Sequence, residues 1–288
     1  MGFTSNDDLI SEMTAGKVWR ADWNKINGAS AYTAGRWYDF SGLAGTPVAN
    51  AFSGTALAWT SANDSNGFGL YHGGNVSTDT KHILNMSAVT AVATGVPGQL
   101  MLVDMQGYYP GISLNSATAQ TLTGTPTLRY ANGVGVRAFM VVTTASGATA
   151  HNIALSYTNQ AATAGKALPV TVSCTASAIA GHINHSGTAA NNYGPFLPLA
   201  SGDTGIQSVQ TVTISAASGS GVGALVLARP LVSIPLVATA ITTERDLLNQ
   251  IPALPRVYDG ACLTWLYFAG AATAANTNFY GSTDFAWG

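Results

Sequence analysis

The chain has 288 residues, a net charge of −2 and only 8% charged side chains, against about 25% in an average soluble domain. Its length is sufficient for a large hydrophobic core, and its weak, balanced charge argues against direct binding to nucleic acid. No apolar run reaches the roughly 18 residues that a membrane-spanning helix needs, so we expect no membrane span.

The first 30 residues are predicted to form a helical N-terminal arm. Ser5 and Asp8 fit a capping box at a helix start, and the arm lacks the basic and apolar regions of a secretory leader. Apolar side chains recur at helical spacing on both sides of Gly16, namely Leu9, Ile10, Met13, Trp19, Trp23 and Ile26. We predict two short helices, or one broken helix, whose aromatic stripe either contacts a partner or caps the chain's own core.

Residues 27–80 are rich in glycine, serine, asparagine and aromatic side chains, with little periodicity. Small polar residues favour turns, whereas frequent aromatic residues argue against disorder. We therefore expect ordered loops and short strands in this part of the chain.

From residue 81 onward, apolar and polar side chains alternate in short runs that predict strands. Residues 81–90 predict a first strand or a short helix. Residues 99–105, 137–144 and 222–228 are apolar on both faces, as in central strands, whereas 153–158 and 170–174 alternate like half-buried strands. Only six charged side chains lie between Ile83 and Thr243: Asp104, Arg129, Arg137, Lys166, Asp203 and Arg229. So little charge suits a protein that packs against copies of itself or a partner.

Two irregularities are predicted among the later strands. In residues 206–214, Val209 has the opposite parity to Val212 and Ile214, which predicts a β-bulge near Gln210. Residues 231–237 contain Pro235, which removes a hydrogen-bond donor, so this strand should lie at a sheet edge or end.

The C-terminal part is predicted to contain one short helix at 242–250, a last strand at 261–268 and an aromatic tail. Many short strands with frequent turns indicate a mainly β fold, specifically an antiparallel β-sandwich of jelly-roll type with a short helical N-terminal arm. We divide the chain into the arm (1–30), the sandwich domain (31–240, alternatively two sub-domains that divide near 115–125) and a C-terminal segment (241–288).

The residues that could carry chemistry do not combine into a recognisable site. Cys174 and Cys262 lie far apart in alternating apolar segments, which favours buried free thiols over a disulfide. His182 and His185 form an H-x-x-H pair, but flanking glycines indicate a loop and no nearby Asp or Glu completes a metal site. Asp104 follows an apolar strand and could be a general acid, although a turn-forming role is favoured.

Enzymatic activity is not expected. The only glutamates, Glu12 and Glu244, lie near opposite ends of the chain, so no carboxylate pair for glycoside hydrolysis is indicated. Asp203 lies in a Ser-Gly-Asp turn and is expected to be structural. No nucleophile elbow and no glycine-rich phosphate-binding motif is present, and we expect no cofactor and no metal.

Aromatic residues cluster at Trp37–Phe40, Tyr108–Tyr109 and Phe279–Tyr280. Such clusters can stack on sugar rings, anchor a protein interface or pack in the core, and the sequence leaves these alternatives open.

Four segments resemble virion structural proteins of tailed double-stranded DNA bacteriophages: PTLRYANGVGVRAFMVV (126–142), NNYGPFLPLASGDTGIQSVQTVTI (191–214), ALVLARPLVSIPL (224–236) and LPRVYDGACLTWLYFAGA (254–271). The low charge agrees with this resemblance. It implies a jelly-roll or other β-sandwich fold and a role in decorating or cementing the head shell, joining head to tail or forming fibres. It implies no catalytic residues.

We therefore expect a non-enzymatic structural protein that decorates or cements a phage head through multivalent contacts. The alternatives are a neck, tail or baseplate component and a receptor- or glycan-binding module. The expected partners are the major capsid (shell) protein and further copies of the chain, in a virion assembled in the host cytoplasm, with no nucleic acid or membrane contact. The predicted partner-contact residues are Trp19, Trp23, Phe279, Tyr280, Phe285 and Trp287.

Overall fold

The computed structural model describes residues 2–250 and 254–288. Its helices are α1 (Asn6–Thr14) and α2 (Leu247–Gln250), with short 3-10 helices at Asp64–Asn66, Ala93–Gly95 and Ala131–Gly133. The first strands are β1 (Val18–Ile26), β2 (Arg36–Asp39), β3 (Ala44–Thr46), β4 (Thr60–Ser61), β5 (Lys81–Thr90), β6 (Gly98–Ser113), β7 (Gln120–Thr121), β8 (Arg137–Thr144) and β9 (His151–Asn159). The remaining strands are β10 (Lys166–Ala167), β11 (Val172–Cys174), β12 (Ile206–Ile214), β13 (Val222–Leu236), β14 (Thr243–Asp246), β15 (Arg256–Val257), β16 (Leu263–Ala269) and β17 (Asn278–Trp287).

The strands of the described residues form three antiparallel sheets. The central sheet has the order β2-β16-β6-β13-β8, with β4 beside β6. The terminal sheet has the order β14-β5-β17-β1-β3, with β15 beside β5, and it contains both the first and the last strand. The small sheet has the order β10-β9-β12-β7, with β11 beside β9.

The terminal and small sheets cover the same face of the central sheet, which confirms the predicted β-sandwich. Trp23 of the terminal sheet packs on Trp265 of the central sheet, with ring centroids 4.7 Å apart. Tyr157 of the small sheet shares a second core with Met140 of β8. Phe139, the next residue along β8, points to the opposite face, where loops cover a third core. The jelly-roll topology stays a prediction.

A loop segment, 181–184, joins the two edges of the central sheet. Ile183 donates its backbone N–H to Trp37 of β2 at 2.9 Å, and Asn184 donates to Met140 of β8 at 2.9 Å. The outer sides of β2 and β8 are therefore paired rather than open to another chain.

The pattern of apolar residues predicted both ends of two strands correctly. The predicted segments 137–144 and 206–214 coincide with β8 and β12. The register of β12 on β9 shifts between Val209 and Thr211, which confirms the predicted bulge. Pairing of β13 with β8 stops at Ala228, so the stretch with Pro235 has only β6 as a neighbour and forms an edge, as predicted.

The prediction for the arm is right at α1 and wrong beyond it. Ser5 caps α1 by accepting the backbone N–H of Asp8 at 3.1 Å. Residues 18–26, however, form β1, because Trp19 and Trp23 also share strand parity with Lys25, which is buried on the same face. A spacing of four residues places side chains on one face of a helix and also on one face of a strand. Residues 18–26 form a strand because they pair with β17.

The predicted helix at 242–250 is wrong in its first half. Residues Thr243–Asp246 form β14 on β5, and α2 begins only after them. Asp246 caps this short helix by accepting the N–H of Leu248 at 2.9 Å. The free edge of β5 offers these residues a hydrogen-bonded ladder, which outweighs their helical pattern.

Both cysteines are buried free thiols, as predicted. Burial raises the pKa of the Cys174 and Cys262 thiols above the usual range. Within the described residues, no helix is both long and apolar enough to cross a membrane.

Candidate interaction surface

The two groups of predicted contact residues lie in one place. β1 and β17 are neighbours along their whole length, with Trp19 opposite Phe285. Trp23, Phe279 and Phe285 face the central sheet and are at most 3% exposed, so their side chains belong to the chain's own core. This burial corrects the expectation that all six aromatic side chains are presented to a partner.

The other predicted contact residues stay at the surface. Trp19 is 40% exposed and Tyr280 is 38% exposed, and they lie on opposite faces of the terminal sheet. Trp287 is half-buried and its ring lies 5.2 Å from Nζ of Lys81. Contact with a partner stays a prediction for these three residues.

Trp19 forms one wall of a surface groove. Its indole N–H donates to the carbonyl of Tyr71 at 3.1 Å, and the two rings meet edge to face with centroids 5.2 Å apart. Tyr71 is 55% exposed and Val48 is 60% exposed, so the rim is apolar and open. The groove has a volume of about 340 Å³ and is lined by residues 19–22, 46–48, 67 and 69–71.

The charged groups beside this groove pair mostly with one another. Arg20 lies 3.3 Å from Asp22 and 3.7 Å from Asp284 on the neighbouring strand. Burial raises the pKa of Asp284, although Arg20 opposes this effect. Asn85 donates to Glu244 at 2.6 Å on the next strands. The outer face of the terminal sheet is therefore polar and acidic, in contrast to the groove at its edge.

A second cluster of ionisable side chains begins at the residue that follows Tyr71. Lys81 is buried, and its Nζ lies 2.9 Å from Nδ1 of His72 and bonds to the carbonyl of Gly74. Nε2 of His72 points towards Asp64 at 3.9 Å. Burial lowers the pKa of His72 to about 4 and that of Lys81 to about 8. This cluster holds the loop that carries Tyr71 against the sheet.

Asp104 does not form a turn, contrary to the favoured expectation. It lies inside β6 and is fully buried, because its carboxylate binds Arg129 through Nε at 3.2 Å and Nη2 at 2.5 Å. The backbone N–H of Cys262 adds a third bond at 3.1 Å. Arg129 also donates to the carbonyl of Ala62 at 2.7 Å. The carboxylate is thus enclosed and saturated, which suits a structural role rather than acid catalysis.

A cavity of about 390 Å³ lies beside Asp39. Asp39 accepts bonds from Ser41 and Gly42, and burial raises its pKa while those bonds oppose the shift. The hydroxyl of Tyr32 also lines the cavity and has no partner among the described residues. Lys25 is buried nearby and its pKa is lowered to about 8 by burial.

Asp203 accepts a hydrogen bond from the hydroxyl of Tyr157, in the structural role expected for it.

The two histidines of the H-x-x-H pair hold the segment that joins the central sheet edges. His185 accepts the N–H of Met140 at 3.3 Å and bonds to the carbonyl of Tyr193 through its other nitrogen. Nε2 of His182 lies 3.2 Å from the carbonyl of Ser186. Burial lowers the pKa of His182 to about 3 and that of His185 to about 4. Among residues 2–250 and 254–288, no group of three His, Cys, Asp or Glu side chains could hold a metal.

Most residues of the three aromatic clusters pack in the core. Tyr38, Tyr108, Tyr109 and Phe279 are at most 3% exposed. Trp37 is half-buried against Phe268, with ring centroids 5.4 Å apart. Of the three interpretations, core packing therefore holds for these side chains. Sequence reasoning identified Trp19 but missed its exposed aromatic neighbour Tyr71, because the two residues are far apart in the chain.

No family model matches the chain, and no curated protein matches it. Among solved structures, the chain is similar to the VP2 subviral particle of infectious bursal disease virus, at 11% identity and a TM-score of 0.23, over 93% of this chain and 80% of that chain. A structure of the Gt strain of the same virus matches at 11% identity and a TM-score of 0.21, over 94% and 79% of the two chains. Similarity at these values does not assign a function.

Proposed function

We propose that this chain is a non-enzymatic structural protein of a virus particle, and more narrowly that it decorates or cements the head shell of a tailed bacteriophage. The observation that carries the proposal is the contrast between the buried ionisable groups and the apolar groove at the surface. Buried ionisable groups such as Asp104 and Lys81 bond to protein groups around them, whereas an apolar groove with Trp19 stays open at the surface. The resemblance of four sequence segments to phage virion proteins supports the narrower assignment.

The mechanism would be multivalent burial. A groove of about 340 Å³ accepts only a few side chains, so one copy contributes a modest interface. Repetition around a symmetric shell converts modest contacts into a large total stabilisation. Because the chain carries only 8% charged residues, neighbouring copies repel one another weakly.

Copy number in purified particles tests the proposal. Quantitative mass spectrometry would measure this chain relative to the major shell protein. A value within a few-fold of the shell protein supports decoration or cementing, and a much lower value supports a neck, tail or baseplate position. Absence of the chain from the particle would refute a structural role.

A particle-binding assay tests the surface itself. Trp19→Ala is expected to weaken binding of the purified chain to particles that lack it. Tyr280→Ala is the matched control, because Tyr280 is 38% exposed and Trp19 is 40% exposed, but Tyr280 lies outside the groove. Equal loss in both variants would show that the groove is not the contact.

A glycan-binding module is the second candidate, and the exposed pair of Trp19 and Tyr71 favours it. Aromatic faces of this kind stack on sugar rings. A glycan screen with the purified chain would detect binding, which Tyr71→Ala should abolish. A positive screen together with absence from the particle would favour this candidate over the structural role.

A further inference from the structure

We propose that the outer edge of β1 binds an extended segment of a partner polypeptide by strand addition, with alternate side chains of that segment entering the groove. This inference rests on the proposed function only for where the partner is found, namely in the particle. The binding chemistry follows from the backbone of β1 itself.

The hydrogen bonds at both ends of β1 define which residues face β17. The carbonyl of Lys17 accepts from Trp287 at 3.2 Å, and the N–H of Asn27 donates to Thr277 at 3.1 Å. In an antiparallel pair, the N–H and C=O of one residue point to the same side, and successive residues alternate. The backbone N–H and C=O groups of odd-numbered residues in β1 therefore point to β17. Those of even-numbered residues point to the opposite edge of β1.

That opposite edge is open over most of its length. β3 pairs only with Asn24–Ile26. The backbone N–H and C=O groups of Val18, Arg20 and Asp22 point away from β17 and lie beyond the pairing with β3, and within residues 2–250 and 254–288 no loop bonds to them. The three residues are exposed. A row of unpaired donors and acceptors at strand spacing is complementary to another strand.

The groove lies directly beside this edge, since residues 19–22 line it. Trp19 and Ala21 face the inner side of the sheet, and Arg20 and Asp22 face the outer side. An added strand would place alternate side chains against Trp19 and the exposed ring of Tyr71. These positions of the partner should therefore be apolar.

The charges of the edge define the other positions. An antiparallel strand places one residue opposite Asp22 and, two residues later, another opposite Arg20. Opposite charges across strands stabilise the pair, and like charges destabilise it. The partner segment should thus read basic, apolar, acidic, apolar from its N-terminal side, without proline. We take acetyl-TKVEVT-amide as the probe peptide.

Nuclear magnetic resonance titration of the full chain with this peptide tests the proposal. The amide signals of Val18, Arg20 and Asp22 should shift, and those of the covered edges of the central sheet should not. N-methylation of the lysine and glutamate amides of the peptide should weaken binding at least about tenfold, because it removes two inter-strand bonds. N-methylation of the two valine amides, which point away from β1, is the matched control.

A protein variant tests the same geometry from the other side. Arg20→Pro removes one unpaired N–H at an edge where proline is tolerated, and Arg20→Ala removes only the side chain. Arg20→Pro should bind the peptide at least about tenfold more weakly than Arg20→Ala. If Arg20→Pro does not fold, the methylated peptides on the unchanged chain decide.

Three results would overturn strand addition: no binding of the probe peptide at millimolar concentration, equal binding of both methylated forms, or equal binding by the two Arg20 variants. Failure of the proposed function looks different. A chain that is absent from particles but binds the peptide in the predicted manner keeps the strand-addition site and loses only the shell as the location of its partner.

Discussion

Replacement of Arg129 by methionine is expected to destabilise the fold strongly. Arg129 is the charged partner of Asp104, which is fully buried, and only 15% of the Arg129 side chain is exposed. Methionine keeps much of the side-chain volume but none of the hydrogen bonds. The bonds to Asp104, Ala62 and Met105 would be lost together.

Two estimates of the cost agree. Breaking a buried ion pair by removing one partner costs about 3–5 kcal/mol, because the remaining charge is buried alone. A carboxyl group can instead take up a proton, which costs an ordinary aspartate about 4 kcal/mol at pH 7. We therefore expect Arg129→Met to lower the free energy of unfolding by about 4 kcal/mol at pH 7.

The loss should depend on pH in a defined direction. In the variant the carboxyl is buried without a partner, so its pKa in the folded state is raised. The folded variant is therefore more stable at low pH, where the carboxyl is protonated, and it loses this stability as pH rises. The stability gap between the natural chain and the variant should narrow by roughly 2–3 kcal/mol between pH 7 and pH 5.

Urea denaturation at both pH values measures the gap. Arg137→Met is the matched control, because Arg137 donates to the backbone carbonyl of Leu197 at 3.3 Å and binds no carboxylate in the described residues; its loss should be near 1 kcal/mol, about the value of one hydrogen bond. Asp104→Asn added to Arg129→Met should recover part of the stability. A loss below about 1 kcal/mol for Arg129→Met, or a gap that does not narrow at pH 5, would refute the reasoning.

Further predictions concern acid, the groove and the thiols. Burial lowers the pKa of His182 to about 3 and of His185 to about 4. The stability that their neutral forms contribute is therefore present above about pH 6.5 and is lost as pH falls towards 4. A urea midpoint that is constant over this pH range would contradict the prediction. Trp23→Ala should cost about 3–5 kcal/mol as a core truncation, whereas Trp19→Ala should cost much less; comparable losses in thermal denaturation would show that Trp19 is structural. A thiol reagent should modify neither cysteine until denaturant unfolds the chain, and rapid modification of the native chain would show that at least one of the two thiols is accessible in the folded protein.

The strands were predictable where the apolar pattern fits burial of one face or of both faces of a strand. The segment 137–144 is apolar on both sides because its two faces pack against different cores, and no other pattern competes there. The bulge near Gln210 was visible because a single parity could not bury both Val209 and Val212. In these cases local sequence and long-range packing demand the same structure.

The rest was hidden because it depends on contacts between distant residues. Lys25 conceals the alternation of β1, since a lysine on the inner face becomes plausible only when the carbonyls of Leu43 and Pro47 accept its hydrogen bonds. From sequence alone, Asp104 was expected at the end of a strand. It lies inside β6 because Arg129 binds its carboxylate. The groove likewise joins Trp19 to a loop whose position no sequence period predicts.

The pairing of β1 with β17 has a consequence for synthesis. β17, the strand between β1 and β5, follows all other described strands in the sequence, so the middle of the terminal sheet is missing until residues 278–287 have left the ribosome. Until then β1 has no hydrogen-bonded neighbour at either edge, except where Asn24–Ile26 pair with β3, and its aromatic inner face is held in place by these bonds alone. Most of the described residues lie between β1 and β17, so the pairing of these two strands is a late and slow step. Chains that stop before residue 278 lack the strand against which β1 is held, so a partner that binds the edge of β1 selects copies that contain β17.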